Sequence, residues 1–287
     1  MSRNMHKYEE LTPYEFNKEK ERASIVYVAV GPVEYHEECN VLGVDTNNGY
    51  RWCLEAAEKT GGIVFPLIPV APAGAPPSWT REQIQSKYTD PLFEEEYKMT
   101  VGLYPGVFFS REICESLYLE LLEALALEMK FKLCVFVGFH GPAEDMIKKI
   151  VSEFGHTDER NLEGVQNENV GNFHGMRVMA IQSEDYNRDV IRDYYSKHNI
   201  SEKLRHGGLW ETALNAAINP EYFKPEFLDE TKYPQHYGAL KEDDFEGSVR
   251  PCKAEYRKFT PEFAREMHHV TVTRFADDVL NVYKNLK

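Results

Sequence analysis

The stretch Val26-Tyr-Val-Ala-Val-Gly-Pro-Val-Glu-Tyr-His-Glu-Glu-Cys-Asn-Val-Leu-Gly-Val-Asp45 decides how this chain is read. Its first five residues are β-branched, apolar or aromatic, the pattern of a buried strand. Gly31-Pro32 ends the strand, and the chain leaves it carrying Glu34 and His36. In extended backbone, positions two apart point the same way. Glu34 and His36 can therefore face one point, with Tyr35 turned elsewhere. A loop containing Gly43 then brings Asp45 back toward that point. One imidazole and two carboxylates form a mixed nitrogen and oxygen donor set, suited to zinc, manganese or iron(II). The same Glu-x-His spacing also occurs on solvated strand rims, so two further stretches must bear the argument.

The first is Leu133-Cys-Val-Phe-Val-Gly138, a second buried strand that runs directly into Phe139-His140-Gly141-Pro142. Gly-Pro opens a helix through about residue 154. In open α/β sheets, functional groups gather beyond the carboxyl ends of the strands. His140 stands there, as Glu34 and His36 do after the first strand; a helix-capping histidine is the structural alternative. The second is His206-Gly-Gly-Leu-Trp-Glu211, where the double glycine permits close backbone approach to a ligand. Glu211 to Ile218 reads as a helix stopped by Pro220, and its positive end favours anionic groups.

Around these stretches the chain alternates strands and helices. Residues 1–23 read as a polar surface arm or short helix. Thr46-Asn47-Asn48 offers an N-cap for a helix from about Gly49 to Lys59. Ile63 to Val70 follows as a strand, completing a β-loop-α-β unit with a right-handed crossover. Residues 71–105 are proline-rich and irregular, a length more often functional than filler. A helix from about Arg111 to Lys130 carries Leu117, Leu119, Leu121, Leu122, Leu125 and Leu127 on its apolar face. Residues 156–174 read as a loop, Arg177 to Gln182 as a strand, and Asp185 to Lys197 as a helix. Residues 221–259 are irregular. A final helix from Pro261 uses Phe263, Met267, Val270, Phe275, Val279 and Val282 as its packing stripe, with His268 and His269 at the surface or core edge. The expectation is one domain over residues 1–287, a layered α/β/α fold with a mainly parallel central sheet.

At 287 residues the chain can bury a substantial core. Its 42% hydrophobic and 28% charged residues are ordinary for a globular protein. A net charge of -14 argues against nucleic acid or an anionic membrane as partner. No apolar run reaches membrane-spanning or signal-peptide length. Five cysteines, widely spaced and without Cys-x-x-Cys, point to free thiols and a cytoplasmic compartment.

Taken together, three stretches resemble the creatininase (creatinine amidohydrolase) family. Gly31-Pro-Val-Glu34-Tyr-His36 with Leu42-Gly43-Val-Asp45 is similar to its Gly-Ser-x-Glu-Gln-His-Gly-x-His-Leu-Pro-Leu-Gly-Thr-Asp. Val137-Gly-Phe-His140-Gly141 resembles Asn-Gly-His-Gly-Gly-Asn. His206-Gly-Gly208-Leu-Trp-Glu211-Thr212 resembles His-Ala-Gly-x-x-Glu-Thr-Ser, and Tyr104-Pro-Gly106 resembles Phe-Pro-Gly-Thr. The resemblance implies a layered α/β fold, a homo-oligomer (a hexamer), a small-molecule substrate and two divalent metals, zinc first, with manganese or iron as alternatives. It further implies that Asp45 bridges the metals, that Glu34 and His140 serve one and His36 the other, and that His206 carries the proton. For the last acidic ligand Glu211 stands first and Glu144 second, since Pro142 occupies the position where some members have glutamate.

The departures lie in the pocket. Glu37-Glu38-Cys39-Asn40-Val41 replaces the family's Gly-Pro-His-Leu-Pro segment, which argues against creatinine itself as substrate. The implied reaction is hydrolysis of a cyclic amide, a formamide or a related carbonyl compound by a metal-activated water, with His206 as proton carrier. Two alternatives accompany it: ring opening of a cyclic ketone such as a keto-inositol, and a non-catalytic metal-binding subunit. A dinucleotide-binding dehydrogenase is disfavoured, because no glycine-rich phosphate turn follows the first strand.

Overall fold

The structure, a computed structural model, describes residues 4–34, 36, 39–72, 109–154, 169–200, 209–228 and 260–286. Among the described residues, five strands form one sheet: β1 (Ile25–Val30), β2 (Ile63–Val64), β3 (Leu133–Gly138), β4 (Val170–Phe173) and β5 (Met176–Gln182), in the spatial order β2-β1-β3-β5-β4. β2, β1, β3 and β5 are mutually parallel, and only β4 runs antiparallel. Every residue of β1 and β3 is buried, as parallel strands covered on both faces require.

Side-chain alternation divides the core in two. Ile25, Tyr27, Ala29, Leu133, Val135 and Val137 face one layer of helices: α2 (Val44–Thr60), α5 (Arg188–Lys197), α6 (Leu209–Ile218) and α7 (Pro261–Lys284). Val26, Val28, Val30, Cys134 and Phe136 face the other, made by α3 (Arg111–Glu123) and α4 (Gly141–Phe154). This is the layered α/β/α arrangement expected from the sequence. Among the described residues, no helix is long and apolar enough to cross a membrane.

Several elements differ from their reading in the sequence, each for a physical reason. α2 begins at Val44, five residues before the expected start, with Gly43 as N-cap, so Asp45 lies in its first turn rather than in a loop. Thr46 and Asn48 have low helix propensity, but side-chain bonds offset it: Thr46 Oγ1 donates locally to the Gly43 carbonyl, and Asn48 Oδ1 accepts from the distant Asn219. The strand read over Ile63–Val70 shrinks to Ile63–Val64 plus a single bridge from Ile68 to Val30, because Pro66 and Pro69 cannot donate to a ladder. Within the loop expected over 156–174, β4 instead pairs with β5 through a two-residue turn at His174 and Gly175, both at positive φ. The helix through α3 passes into a π-turn over Ala124–Glu128, and the altered winding leaves Leu127 52% exposed instead of on the packed face.

The N-terminal arm is folded and docked. α1 (Pro13–Arg22) starts with a Thr12–Glu15 capping box, and Phe16 packs edge-on against Phe131. Gly62 sits between this arm and β1, at φ +103, donating its N–H to Glu19 Oε1 at 2.7 Å. A Cβ there would lie 2.7 Å from the Ile25 carbonyl oxygen and 2.9 Å from Ile25 Cβ. Gly62→Ala is expected to destabilise the fold by about 2–3 kcal/mol, read as a lower urea midpoint at unchanged slope.

Candidate metal centre

The site forms where two neighbouring strands end together. Val30 of β1 pairs with Gly138 of β3, so the segments leaving them emerge side by side. The Glu34 N–H donates to the Leu42 carbonyl at 2.9 Å, pinching the connecting loop shut and returning the chain to the start of α2. α6 brings Glu211 to the same place from a distant part of the sequence. Behind them Trp52 of α2 meets Phe139 edge-on at 4.5 Å, fixing the residue that precedes His140.

Glu34, His36, Asp45, His140 and Glu211 are all buried, between 1% and 8% exposed. They fall into two groups that share Asp45: Glu34, Asp45 and His140, and His36, Asp45 and Glu211. Within each group the candidate ligand atoms lie within 4.8 Å of one another. His140 Nδ1 stands 2.8 Å from Glu34 Oε1 and 3.5 Å from Asp45 Oδ2. His36 Nε2 stands 2.9 Å from Asp45 Oδ1 and 3.9 Å from Glu211 Oε2. Glu34 and His36 thus face two adjacent points bridged by one carboxylate, not the single point that strand alternation suggested.

Both imidazoles have their tautomer set by backbone carbonyls. His140 Nε2 is 3.1 Å from the Pro72 oxygen, and His36 Nδ1 is 3.1 Å from the Glu34 oxygen. A carbonyl only accepts, so those nitrogens carry the proton. In the neutral rings, Nδ1 of His140 and Nε2 of His36 then present lone pairs toward carboxylate oxygens. That arrangement is repulsive unless a proton or a metal ion lies between, and a backbone carbonyl holding the outer ring nitrogen is the usual support of a metal-ligating histidine.

The electrostatics agree. Burial pushes the Asp45 carboxyl well above the usual carboxylate range, and the adjacent Glu34 charge pushes it further. Burial opposes charging of His140, yet the Glu34 carboxylate beside it, with Asp45 and the Pro72 carbonyl, raises its pKa to about 9. Three carboxylates in so small a buried volume demand positive charge, since burying unpaired ions costs several kcal/mol each. Asp45 Oδ2 is buried and finds no hydrogen-bond donor among the described residues. Two divalent ions against three carboxylates would leave a single positive charge, so the donor set fits the group the family implies.

Glu144 lies in the first turn of α4, 9% exposed, and adds to the negative field on Asp45 but stands outside both groups. It packs on Gly138, where a Cβ would come 2.6 Å from Glu144 Cγ. His206, Tyr35, Glu37, Glu38, the Tyr104-Pro-Gly106 motif, most of the proline-rich 71–105 stretch and nearly all of the irregular 221–259 segment lie outside the described residues.

Sequence reasoning passed over the polar frame behind the ligands. Asn40 bonds to the His36 carbonyl, Thr212 and Asn215, while Asn219 donates to Asn48. A signal was present: Asn215 interrupts the apolar run from Ala213 to Ile218, and Asn219 follows one turn later, just past the helix end. The Pro72 carbonyl left none, because a backbone acceptor has no residue identity.

The sequence model of the creatininase family, described as creatinine amidohydrolase, matches residues 9–276. A comparison with curated proteins found no match. Among solved structures, a creatinine amidohydrolase (creatininase) superposes with a TM-score of 0.62 at 17% identity, covering 96% of each chain. A creatininase titled as the Mn form gives 0.63 at 16%, covering 97% of this chain and 98% of that one. A mutant creatininase of the Zn-Zn type gives 0.62 at 17%, covering 98% and 99%. The family match spans nearly the whole chain and includes every ligand-type residue gathered at the ends of β1 and β3, so the chain belongs to the creatinine amidohydrolase (creatininase) family.

Proposed function

We propose that this chain is a divalent-metal-dependent hydrolase of a small carbonyl compound, a cyclic amide or a formamide. Glu34, Asp45 and His140 would hold one ion, and His36, Asp45 and Glu211 the other, with Asp45 shared. The observation that carries the reading is the pair of buried three-residue groups joined through one carboxylate. When bound, such ions supply Lewis acidity toward a carbonyl oxygen and bring the pKa of a coordinated water toward about 7. The protein's own part is to aim one lone pair of each imidazole inward, by committing the other nitrogen to a backbone carbonyl. Burial keeps solvent from competing for those ligands. His206 is the proposed proton carrier, a role that contributes about 10²–10⁴-fold in comparable enzymes.

The donor set has no thiolate, so zinc, manganese and iron(II) are all accommodated. Solved relatives include a Mn form and a Zn-Zn form, which supports starting the reconstitution with those two. The family resemblance supports a homo-oligomer, a hexamer. Cys39, Cys53, Cys114 and Cys134 are buried free thiols, which supports the cytoplasm.

The deciding experiment is elemental analysis of the purified protein, followed by chelation and reconstitution during a screen of lactams, formamides and cyclic ketones. Two ions per chain are expected, with turnover lost on chelation and restored by zinc, manganese or iron. Full turnover by chelated, metal-free protein overturns the reading. Turnover confined to the cyclic ketones moves the scissile bond from carbon-nitrogen to carbon-carbon.

A further inference from the structure

The loop after His36 departs from the family pattern, and one of its residues has an unusual set of contacts. Asn40 Nδ2 donates to the His36 carbonyl at 2.7 Å and to Thr212 Oγ1 at 2.9 Å. Its Oδ1 accepts from Asn215 Nδ2, also at 2.9 Å. A longer contact of 3.6 Å runs to Cys39 Sγ. Both strong donors and one acceptor of a single amide are thus committed, and to two different parts of the chain.

The amide has only one workable orientation. A flip would set Oδ1 against the His36 carbonyl, acceptor against acceptor, so the assignment follows from chemistry. The partners on α6 are anchored: Thr212 is 3% exposed and Asn215 fully buried. Thr212 immediately follows Glu211, and the His36 carbonyl belongs to the residue whose ring meets Asp45. Asn40 therefore joins the backbone of one candidate ligand to the helix turn that carries another. The Lys224 N–H reinforces the loop by donating to the Cys39 carbonyl at 2.8 Å. These hydrogen bonds run to His36, Cys39, Thr212 and Asn215, all on the His36–Glu211 side of the centre.

We propose that Asn40 is a positioning residue that assembles one half of the metal centre, holding His36 and Glu211 at the separation a second ion requires. The inference rests on the two-ion reading above. It assigns a job to a position where this chain departs from its family. Outer partners of metal ligands change affinity by about 10–100-fold, and the expected effect falls in that range and on one ion only.

The test titrates chelated protein with manganese and with zinc by isothermal calorimetry, and counts retained metal after dialysis. Wild type should bind two ions. Asn40→Ala and Asn40→Asp should keep one ion at wild-type affinity and weaken the other about 10–100-fold; the aspartate retains the shape but loses both donors. Thr212→Val, which removes the hydroxyl acceptor, should weaken the same ion, and Thr212→Ser should restore it. Circular dichroism verifies the fold, and the threonine pair decides the question should Asn40→Ala fail to fold. Unchanged binding of both ions in Asn40→Ala, or equal weakening of both, overturns the role of Asn40 while leaving the two-ion reading intact. Wild type binding no ion at all would instead sink the reading on which it rests.

Discussion

Asp45→Asn should abolish the thermal stabilisation that divalent ions confer, while leaving the metal-free protein as stable as wild type or more so. The reason is that Asp45 is the one residue common to both ligand groups. An ion at a hundred times its dissociation constant stabilises a fold by about 2.7 kcal/mol, on the order of 5 °C or more in a chain of this size. Wild type should show that rise for each ion, and the asparagine variant none.

The metal-free half of the prediction follows from proton linkage. Burial and the Glu34 charge hold the Asp45 pKa above its unfolded value, near 3.9 for a free aspartate. A raised folded-state pKa contributes stability that is complete below the unfolded pKa and is lost as pH rises through the folded one. At neutral pH, without metal, the wild-type carboxylate is therefore a burden. Asparagine does not titrate, and its amide can donate to the His36 Nε2 lone pair now facing Asp45 at 2.9 Å. The gap between variant and wild type should widen from about pH 4 upward. Scanning fluorimetry with and without chelator across that range reads both effects; a metal-induced shift retained in Asp45→Asn would refute the shared bridge.

The largest loss of stability is expected from Trp52→Ala, about 3–5 kcal/mol. Trp52 is completely buried in α2 and closes against Phe139 on one side. Its removal opens a cavity directly beneath the segments carrying Asp45 and His140. Against a typical total of about 5–15 kcal/mol, the variant should be partly unfolded at 37 °C and recover on binding ions. Trp52→Phe should lose far less, about 1–2 kcal/mol. It keeps the edge-on ring contact, and it removes a buried indole N–H that has no hydrogen-bond partner among the described residues. Urea titration followed by circular dichroism separates the two. Equal losses would mean that ring packing is not what holds this region.

How much of this could be read in advance depended on whether a signal was local. β3 and the start of α4 matched their sequence reading to the residue, because six consecutive apolar residues and a Gly-Pro stop leave little choice. β2 was overextended, although Pro66 and Pro69 stood in plain view. The early start of α2 is hidden by the cap-like run Thr46, Asn47 and Asn48, within which Asn48 takes a partner 171 positions away. β4 was missed since Val170-Gly-Asn-Phe173 is too short and polar to read as a strand until β5 supplies its ladder.

The sequence by itself determined the layered parallel fold, the family, and the residue types that could bind metal, because strand alternation, helix periodicity and motif spacing are properties of neighbours along the chain. The family resemblance already implied that Glu34 and His36 serve different ions and that Glu211 comes before Glu144; the tertiary structure brings those side chains together in two groups. It alone chose the tautomer of each histidine, through the carbonyls of Pro72 and Glu34. Those outcomes depend on distances between segments remote in sequence and on backbone atoms that every residue shares, and neither is written in the order of the side chains.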